Sequence, residues 1–273
     1  PSASIDATAI VGAFCTIGPQ VTIGPRTRLS RRVTVLGKTS IGEDNFISEG
    51  SVLGAAPQDL KYDGGPTQLI IGSGNFFGRN VTAHIGTELG GGFTRIGSNT
   101  HLDAGCHIAH DCYVDDDAYL GTKVLLAGHI HIQRGALIEN LSGAHHFTTV
   151  GRFARVGPRT AIRRDVPPFT NFYSQNQDLQ APSVQGIHVE GIEKAGLSEI
   201  EKRELRRALN DLFVNEAALA TKIEQLVNIG VEGEAAYLCE FCRRSLQGVY
   251  GRYREKFRNQ TPPEALELMD KGQ

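Results

Sequence analysis

Histidine is the residue type in this sequence best suited to chemistry, and three histidines recur at a similar spacing. His110 lies in the stretch HIAHDC, His129 follows in LAGH, and His145 comes after a similar interval in GAHHF. An imidazole serves as a general base near neutral pH when a neighbouring group fixes its tautomer, and Asp111 is the adjacent carboxylate. Three histidines also suit a catalytic zinc, and a row of surface histidines needs no chemistry at all. The pattern leaves a general base, a metal site and a surface ladder as alternatives.

A repeat of six residues predicts how these side chains are positioned. Aliphatic residues occupy every sixth position in two runs, with Ala144 as the exception in the second. The first run is Ile5, Val11, Ile17, Ile23, Leu29, Val35, Ile41, Ile47 and Leu53. The second is Ile96, Leu102, Ile108, Val114, Leu120, Leu126, Ile132, Ile138, Ala144, Val150, Val156 and Ile162. Three steps make a coil whose neighbours pair as parallel strands ~4.8 Å apart. Because the histidine spacing is close to three steps, the sequence predicts a parallel β-helix with the three histidines at nearly the same angle on successive coils.

Glycines and interruptions mark the corners of this coil. Glycine often follows the aliphatic position, as at Gly24, Gly42 and Gly72. We attribute these glycines to tight corners, because glycine tolerates a positive φ. Residues 54–69 and 85–95 break the six-residue register. Insertions leave a solenoid as loops, often on its binding face, so we expect a site near them.

The repeat stops after Ile162, and the composition changes to helix-forming residues from Leu197. The stretch from Val166 to about residue 191 predicts an irregular connection. Ser198 and Glu201 form a capping box at the start of a helix. The predicted fold is mainly β, with a β-helix and connecting loop over 1–191 and a helical domain with a loose tail over 192–273.

Composition excludes several classes of protein. The chain has 28 Lys and Arg against 30 Asp and Glu, so its formal charge of -2 argues against a general nucleic-acid binder. No apolar run approaches the ~18 residues of a membrane span, and the first residues lack the pattern of a signal peptide. We therefore expect a cytoplasmic protein. Cys239 and Cys242 form a CxxC, but without a second pair and in a stretch with helical periodicity they predict a buried helix face.

Five stretches in a fixed order carry a resemblance: QDLKY from Gln58, HIAHDC from His107, LAGH from Leu126, DVPP from Asp165 and VEG from Val189. In this order and spacing the chain resembles the hexapeptide-repeat acyltransferases, and within them the acyl-[acyl-carrier-protein]–UDP-N-acetylglucosamine O-acyltransferases, over roughly residues 5–256. The resemblance implies a left-handed coil and a homotrimer with active sites between subunits. It also implies transfer of an (R)-3-hydroxyacyl group from acyl carrier protein to the sugar 3-hydroxyl, the first step of lipid A biosynthesis.

The same resemblance implies roles for individual residues. His110 would be the general base, Asp111 would orient it, and the backbone N–H of Gly128 would stabilise the oxyanion. His129 and His145 would line the acyl site. Substrate contacts are implied for the set Gln58, Asp59, Lys61, His107, His129, His145, His146, His188, Glu190 and Lys194. No metal or cofactor is implied, because the acyl carrier protein thioester is a co-substrate.

Several positions depart from the family pattern. His146 replaces a usual Gln, His188 a usual Asn and Lys194 a usual Arg, while Pro158 replaces a small residue that helps set acyl length. The acyl length, and the choice between UDP-N-acetylglucosamine and its 3-amino analogue, therefore stay open. The alternatives are an N-acyltransferase on a UDP-aminosugar, a zinc-dependent hydratase like the γ-type carbonic anhydrases, and a β-helix that binds a nucleotide sugar without catalysis.

Two arginine-rich stretches, residues 152–164 and 243–258, complete the sequence-based expectations. Acyl carrier proteins are acidic, and a basic face accelerates the encounter with an acidic partner. We expect acyl carrier protein to dock on one of these stretches.

Overall fold

The computed structural model describes residues 2–174, 182–214 and 217–260. Three sheets of short, mostly parallel strands form the three sides of a β-helix, and four α-helices follow it within the described residues. The parallel β-helix and the helical C-terminal region predicted from the sequence are both present. Most of the predicted loose tail, from residue 261 onward, lies outside the described residues.

Each sheet takes one strand from every coil. The first sheet contains β1 (Ser4–Ile5), β4 (Val21–Ile23), β7 (Lys38–Ile41), β10 (Gln68–Ile71), β13 (Phe93–Ile96), β16 (Tyr113–Val114), β19 (His131–Ile132) and β22 (Thr149–Val150). The second contains β2 (Ile10–Val11), β5 (Arg28–Leu29), β8 (Phe46–Ile47), β11 (Phe76–Phe77), β14 (His101–Leu102), β17 (Tyr119–Leu120), β20 (Leu137–Ile138), β23 (Arg155–Val156), β25 (Thr170–Tyr173) and β26 (Ser183–Ile187). The third contains β3 (Thr16–Ile17), β6 (Thr34–Val35), β9 (Val52–Ala55), β12 (Thr82–His84), β15 (His107–Ile108), β18 (Leu125–Leu126), β21 (Gly143–Ala144) and β24 (Ala161–Ile162).

The aliphatic residue of each repeat is the anchor of its side. Ile108 pairs with Leu126 on the next coil, and Leu126 pairs with Ala144, so residues one full coil apart share a register. Ile108 and Leu126 are fully buried. Burying such a side chain contributes about 1.5–3 kcal/mol, and the stacked anchors form one continuous core.

The glycines that follow the anchors have a different cause from the predicted one. Positive φ falls two residues later in the repeat, at positions such as Asp111 (59°) and His129 (62°). A Cβ on Gly24 would lie 2.7 Å from the carbonyl carbon of Gly42 on the next coil. Gly24, Gly42 and Gly72 lie where the next coil approaches too closely for a side chain. The prediction that these glycines supply the positive φ was wrong.

The stretch predicted as an irregular connection contains two strands. β25 continues the second sheet in parallel with β23, and β26 pairs with β25 antiparallel. Six-residue spacing could not reveal them, because their register is set by the end of the β-helix and not by the repeat.

The C-terminal region contains α1 (Val189–Lys194), α2 (Glu199–Phe213), α3 (Leu219–Ile229), α4 (Gly233–Gln247) and a 3₁₀ helix (Tyr253–Phe257). The predicted capping box at Ser198 is confirmed, because its hydroxyl accepts from the Glu201 N–H and the Glu201 carboxylate accepts from the Ser198 N–H. The predicted domain boundary at residue 191 falls within α1. None of the helices in the described part of the chain combines the length and the hydrophobicity of a membrane span.

The CxxC pair lies on α4, as its helical periodicity predicted. Cys239 and Cys242 are both buried in the core between the helices. Burial raises the pKa of the Cys242 thiol to about 12, and it also raises the pKa of Cys239. Both thiols therefore stay protonated at neutral pH and pack as small apolar side chains.

Both interruptions of the repeat leave the coil at the same corner. Residues 56–67 connect β9 to β10, and residues 85–92 connect β12 to β13, each from the third sheet to the first. On the next coils, residues 109–112, 127–130 and 145–148 turn at that same edge. We call this edge, with its two loops, the loop corner. The repeat therefore places the candidate histidines beside both loops.

Candidate active site

A cavity of about 230 Å³ lies at the loop corner. Its walls come from both loops, from three successive corner turns and from the C-terminal segment. The lining residues are Gln58, Asp59, Lys61, Thr87, Leu89, His110, Gly128, His129, His146, Phe147 and Arg258. Seven of the predicted site residues are thus brought together within one chain: Gln58, Asp59, Lys61, His110, Gly128, His129 and His146.

His110 lines this cavity and forms a buried pair with Asp111. Nδ1 of His110 lies 2.7 Å from Oδ2 of Asp111. Asp111 is fully buried and also accepts hydrogen bonds from the N–H and the hydroxyl of Thr87, both at 2.7 Å. Because a carboxylate only accepts hydrogen bonds, Nδ1 is the donor in this pair, and in the neutral ring the lone pair is then on Nε2. This geometry prepares Nε2 to act as a base.

Gly128 lies directly beside the His110 ring. A Cβ on Gly128 would lie 2.6 Å from Cε1 and 2.8 Å from Nε2 of His110, so glycine leaves the space that the ring occupies. Among the described residues, the Gly128 N–H has no hydrogen-bond partner. A free backbone donor next to a base is the arrangement that oxyanion stabilisation requires.

His129 packs at right angles to His110, with ring centres 5.2 Å apart. Its Nε2 lies 3.7 Å from Oδ2 of Asp111, and its ring stacks on Phe147 at 4.4 Å. Burial lowers the pKa of His129 to about 4, although the Asp111 carboxylate opposes this shift. His129 is therefore neutral at neutral pH, with one ring nitrogen able to donate a hydrogen bond and the other able to accept one.

The predicted column of His110, His129 and His145 is confirmed for its first two members, whose ring centres lie 5.2 Å apart at the same cavity. His110, Gly128 and His146 share one position of the repeat, since each follows the last by one full coil, and His129 shares the next position with Phe147. His145 is exposed, does not line the cavity, and lies with its ring 3.8 Å from that of His146. The three histidines do not differ by whole coils, so His129 and His145 each lie one position away from the phase of His110.

The remaining predicted residues lie outside the cavity wall of a single chain. Nδ1 of His107 contacts the hydroxyl of Thr82 at 2.8 Å, and burial together with a neighbouring histidine lowers the pKa of His107. His188 is buried beneath α1, with Nδ1 2.7 Å from the Phe153 carbonyl oxygen. Glu190 and Lys194 are exposed on α1. Their substrate roles, like that of His145, stay predictions.

A metal ligand set at this corner would use two histidines and Asp111. Ligand atoms of His110, Asp111 and His129 all lie within 4.8 Å of one another. Both oxygens of Asp111 already accept hydrogen bonds, from Thr87 and His110. The hydrogen bonds fit a carboxylate that orients a histidine.

The sequence missed four cavity residues: Thr87, Leu89, Phe147 and Arg258. Thr87 and Leu89 lie in the second interruption of the repeat. The sequence predicts a site near that interruption, but it does not indicate which of its residues line the site. Phe147 falls one full coil after His129, and the corrected phase would have found it. Arg258 was recognised only as part of an arginine-rich stretch, because nothing in its neighbourhood marks it as a cavity residue.

The second arginine-rich stretch is less basic than its composition indicates. Two carboxylates, Glu240 and Glu255, each contact two of its arginines: Arg243 and Arg244, and Arg252 and Arg258. Glu240 lies just outside the stretch in sequence, so the composition of residues 243–258 does not include its negative charge. Docking of acyl carrier protein on this surface stays a prediction.

Known proteins are similar to this chain in sequence and in architecture. The family described as UDP N-acetylglucosamine O-acyltransferase, domain 2, matches residues 165–250. A protein from Anaeromyxobacter named acyl-[acyl-carrier-protein]–UDP-N-acetylglucosamine O-acyltransferase is 36% identical over 78% of this chain and 81% of its own length. The UDP-N-acetylglucosamine acyltransferase structure from Francisella novicida has a TM-score of 0.82 at 30% identity, covering 89% of this chain and 87% of its own. The UDP-N-acetylglucosamine O-acyltransferase from Moraxella catarrhalis has a TM-score of 0.76 at 33% identity, covering 88% and 94%.

Proposed function

The chain belongs to the acyl-[acyl-carrier-protein]–UDP-N-acetylglucosamine O-acyltransferases, and we propose that it transfers the acyl group in the cavity at the loop corner. It is an acyl carrier protein-dependent O-acyltransferase of lipid A biosynthesis. The names of its relatives favour neither the aminosugar N-acyltransferase nor the zinc hydratase. That the acyl group is an (R)-3-hydroxyacyl chain and the acceptor the sugar 3-hydroxyl is the finer proposal, which the family resemblance supports.

The observation that carries the mechanism is the position of His110 between Asp111 and Gly128. Nε2 of His110 takes the proton of the sugar hydroxyl as that oxygen bonds to the thioester carbonyl carbon. The negative charge on the carbonyl oxygen is stabilised by the Gly128 N–H. The carbon–sulfur bond then breaks, and the departing thiolate takes that proton from His110 to leave as the thiol. Asp111 holds the ring in the correct tautomer and stabilises its charged form.

The other cavity residues suit recognition of the two substrates. Gln58, Asp59 and Lys61 come from the first loop and present hydrogen-bonding and charged groups to the cavity. Neutral His129 presents a further donor and acceptor beside His110. We assign the loop residues to the nucleotide sugar and His129 to the acyl site, in agreement with the family resemblance.

The assembly we propose is a homotrimer with each site completed by a neighbouring subunit. His188, Glu190 and Lys194 do not line the cavity of their own chain, and a neighbour would bring them to it. The absence of a metal or other cofactor requirement, and a cytoplasmic location, stay predictions from the sequence.

The test of this proposal is His110→Ala in the full chain. We expect a loss of turnover of about 10²–10⁴-fold, the usual contribution of a general base, with an unchanged melting temperature. His101→Ala is the matched control, since His101 lies on β14 outside the cavity and contacts Asp103. Turnover near that of the wild type in His110→Ala would contradict the proposal. A panel of acyl carrier protein thioesters assayed against both sugars, read by product mass, identifies the acyl chain and the acceptor.

A further inference from the structure

The C-terminal segment Arg252–Arg258, which we call the strap, contacts successive turns of the loop corner and ends at the cavity. The family match ends at residue 250, so the strap lies beyond it. The Tyr253 N–H donates to Oδ2 of Asp165 at 2.9 Å, and Nη1 of Arg252 donates to the Arg163 carbonyl oxygen at 3.0 Å. These bonds attach the strap to the coil that follows the site.

Arg254 fixes the middle of the strap against the loop corner. Its side chain is buried, and Nε donates to the carbonyl oxygen of His129 at 3.2 Å. Its guanidinium carbon lies 4.9 Å from the centre of the Tyr113 ring, within the range of a cation–π contact. The strap is thereby tied to the same turn that carries a cavity histidine.

Arg258 ends the strap and lines the cavity. Its Nη2 donates to Nε2 of His146 at 2.9 Å, and its guanidinium lies 4.9 Å from the centre of the Phe147 ring. Its Nε donates to Glu255 at 2.8 Å, and buried Glu255 is itself held by Arg252 at 3.0 Å. Three contacts therefore hold the guanidinium at the cavity wall.

The Nη1 group of this guanidinium remains available to a ligand. Among the described residues, Nη1 of Arg258 has no partner, and the side chain is 47% exposed. Lys61 lines the same cavity, and Asp59 is the carboxylate among the lining residues. A positioned guanidinium with a free N–H group is the preferred protein ligand for a phosphate oxygen.

We propose that Arg258 binds a phosphate group of a substrate in the transfer cavity, and this rests on the proposed function. Two substrates would carry such a group into the cavity: the diphosphate of the nucleotide sugar, and the phosphodiester of the pantetheine arm that bears the acyl thioester. The strap would thus supply part of the binding site from outside the residues that the family model matches.

The test is steady-state kinetics of Arg258→Gln in the full chain. We expect the KM of one substrate to rise about 10- to 100-fold, as for the loss of a hydrogen bond to a charged group, with kcat changed only a few-fold. A rise for UDP-N-acetylglucosamine assigns Arg258 to the diphosphate, and a rise for the acyl carrier protein thioester assigns it to the pantetheine arm. Arg258→Lys should recover part of the lost affinity. Lys256→Gln is the control, because Lys256 lies on the same strap over the Tyr253 ring and does not line the cavity.

The outcomes separate this inference from the proposed function. Both KM values within twofold of the wild type would overturn the role of Arg258 and leave the function intact. Another outcome is that Arg258→Gln loses affinity for both substrates and also has a lower melting temperature, with neither recovered in Arg258→Lys. That result would show that Arg258 has a purely structural role, and it would also overturn the inference. A wild-type chain that turns over no thioester would instead contradict the proposed function.

Discussion

Asp111 faces His110 because its backbone adopts the left-handed conformation, with φ at 59°. Neighbouring residues of an extended strand point to opposite sides, so their side chains meet only at a corner. A residue other than glycine in this conformation costs about 1–2 kcal/mol. Two hydrogen bonds from Thr87 and one from His110 offset that cost, at about 1 kcal/mol or more each. The pair is therefore held by the corner and the second loop as well as by its adjacency in sequence.

Gly128 leads to a prediction at this same scale. In Gly128→Ala the new methyl group would lie 2.6 Å from Cε1 of His110, so the ring must turn away from Asp111 or the turn must shift. We expect kcat to fall by about 100-fold or more, since both the base and the oxyanion donor are displaced. The free energy of unfolding should fall by only about 1–3 kcal/mol, as for a crowded core position.

The control for that change is Gly143→Ala on the following coil. A Cβ on Gly143 has its nearest neighbour, the Leu125 carbonyl oxygen, at 3.7 Å, which is ordinary contact. Its activity and its unfolding by urea should match the wild type. Equal kcat values in Gly128→Ala and Gly143→Ala would show that the space beside His110 is not required.

At the scale of elements, the features that sequence could predict are those set by local pattern. The anchors repeat because each side of the coil buries one side chain, and the capping box at Ser198 is complete within the first turn of α2. β25 and β26 were missed because they pair at the end of the stack, where the repeat no longer sets the register. The reason for the glycines was missed because it lies in the neighbouring coil and not in the local chain.

The coil itself gives a prediction that compares two glycines one repeat apart. A Cβ on Gly24 would lie 2.7 Å from the backbone of Gly42, whereas a Cβ on Gly18 would meet Leu36 at 3.4 Å. Neither glycine has a positive φ, so backbone strain does not distinguish them. We expect Gly24→Ala to lower the free energy of unfolding by about 1–3 kcal/mol, because backbone atoms on both coils must separate. Gly18→Ala should have a much smaller effect in the same urea titration, and equal losses would contradict close approach as the cause.

At the scale of the molecule, the cavity is assembled from parts that no short pattern connects. The contact between His146 and Arg258 joins residues 112 positions apart. Sequence could name seven of the cavity residues, six of them because they belong to the ordered motifs, yet it gave no reason to place the strap there. It also named His188 and Glu190, which the single chain does not bring to the cavity.

The proposed trimer resolves that difference and makes it testable. If a neighbouring subunit supplies Glu190, then His110→Ala and Glu190→Ala damage opposite sides of the same shared site. Glu190 suits this test because its side chain is 83% exposed, so its removal leaves the packing of α1 unchanged. Each variant alone should assemble at close to three times the chain mass of 29.5 kDa by light scattering and should transfer acyl groups poorly.

Unfolding and refolding the two variants together should restore activity. Every mixed trimer has one interface at which an intact His110 meets an intact Glu190, because each variant carries the residue that the other lacks. With random mixing, the restored turnover is about a quarter of the wild-type value. Sites contained within one chain would show no restoration, since every chain would still carry a damaged residue. Full activity of Glu190→Ala by itself would remove that residue from the site, and a monomeric mass would contradict the trimer directly.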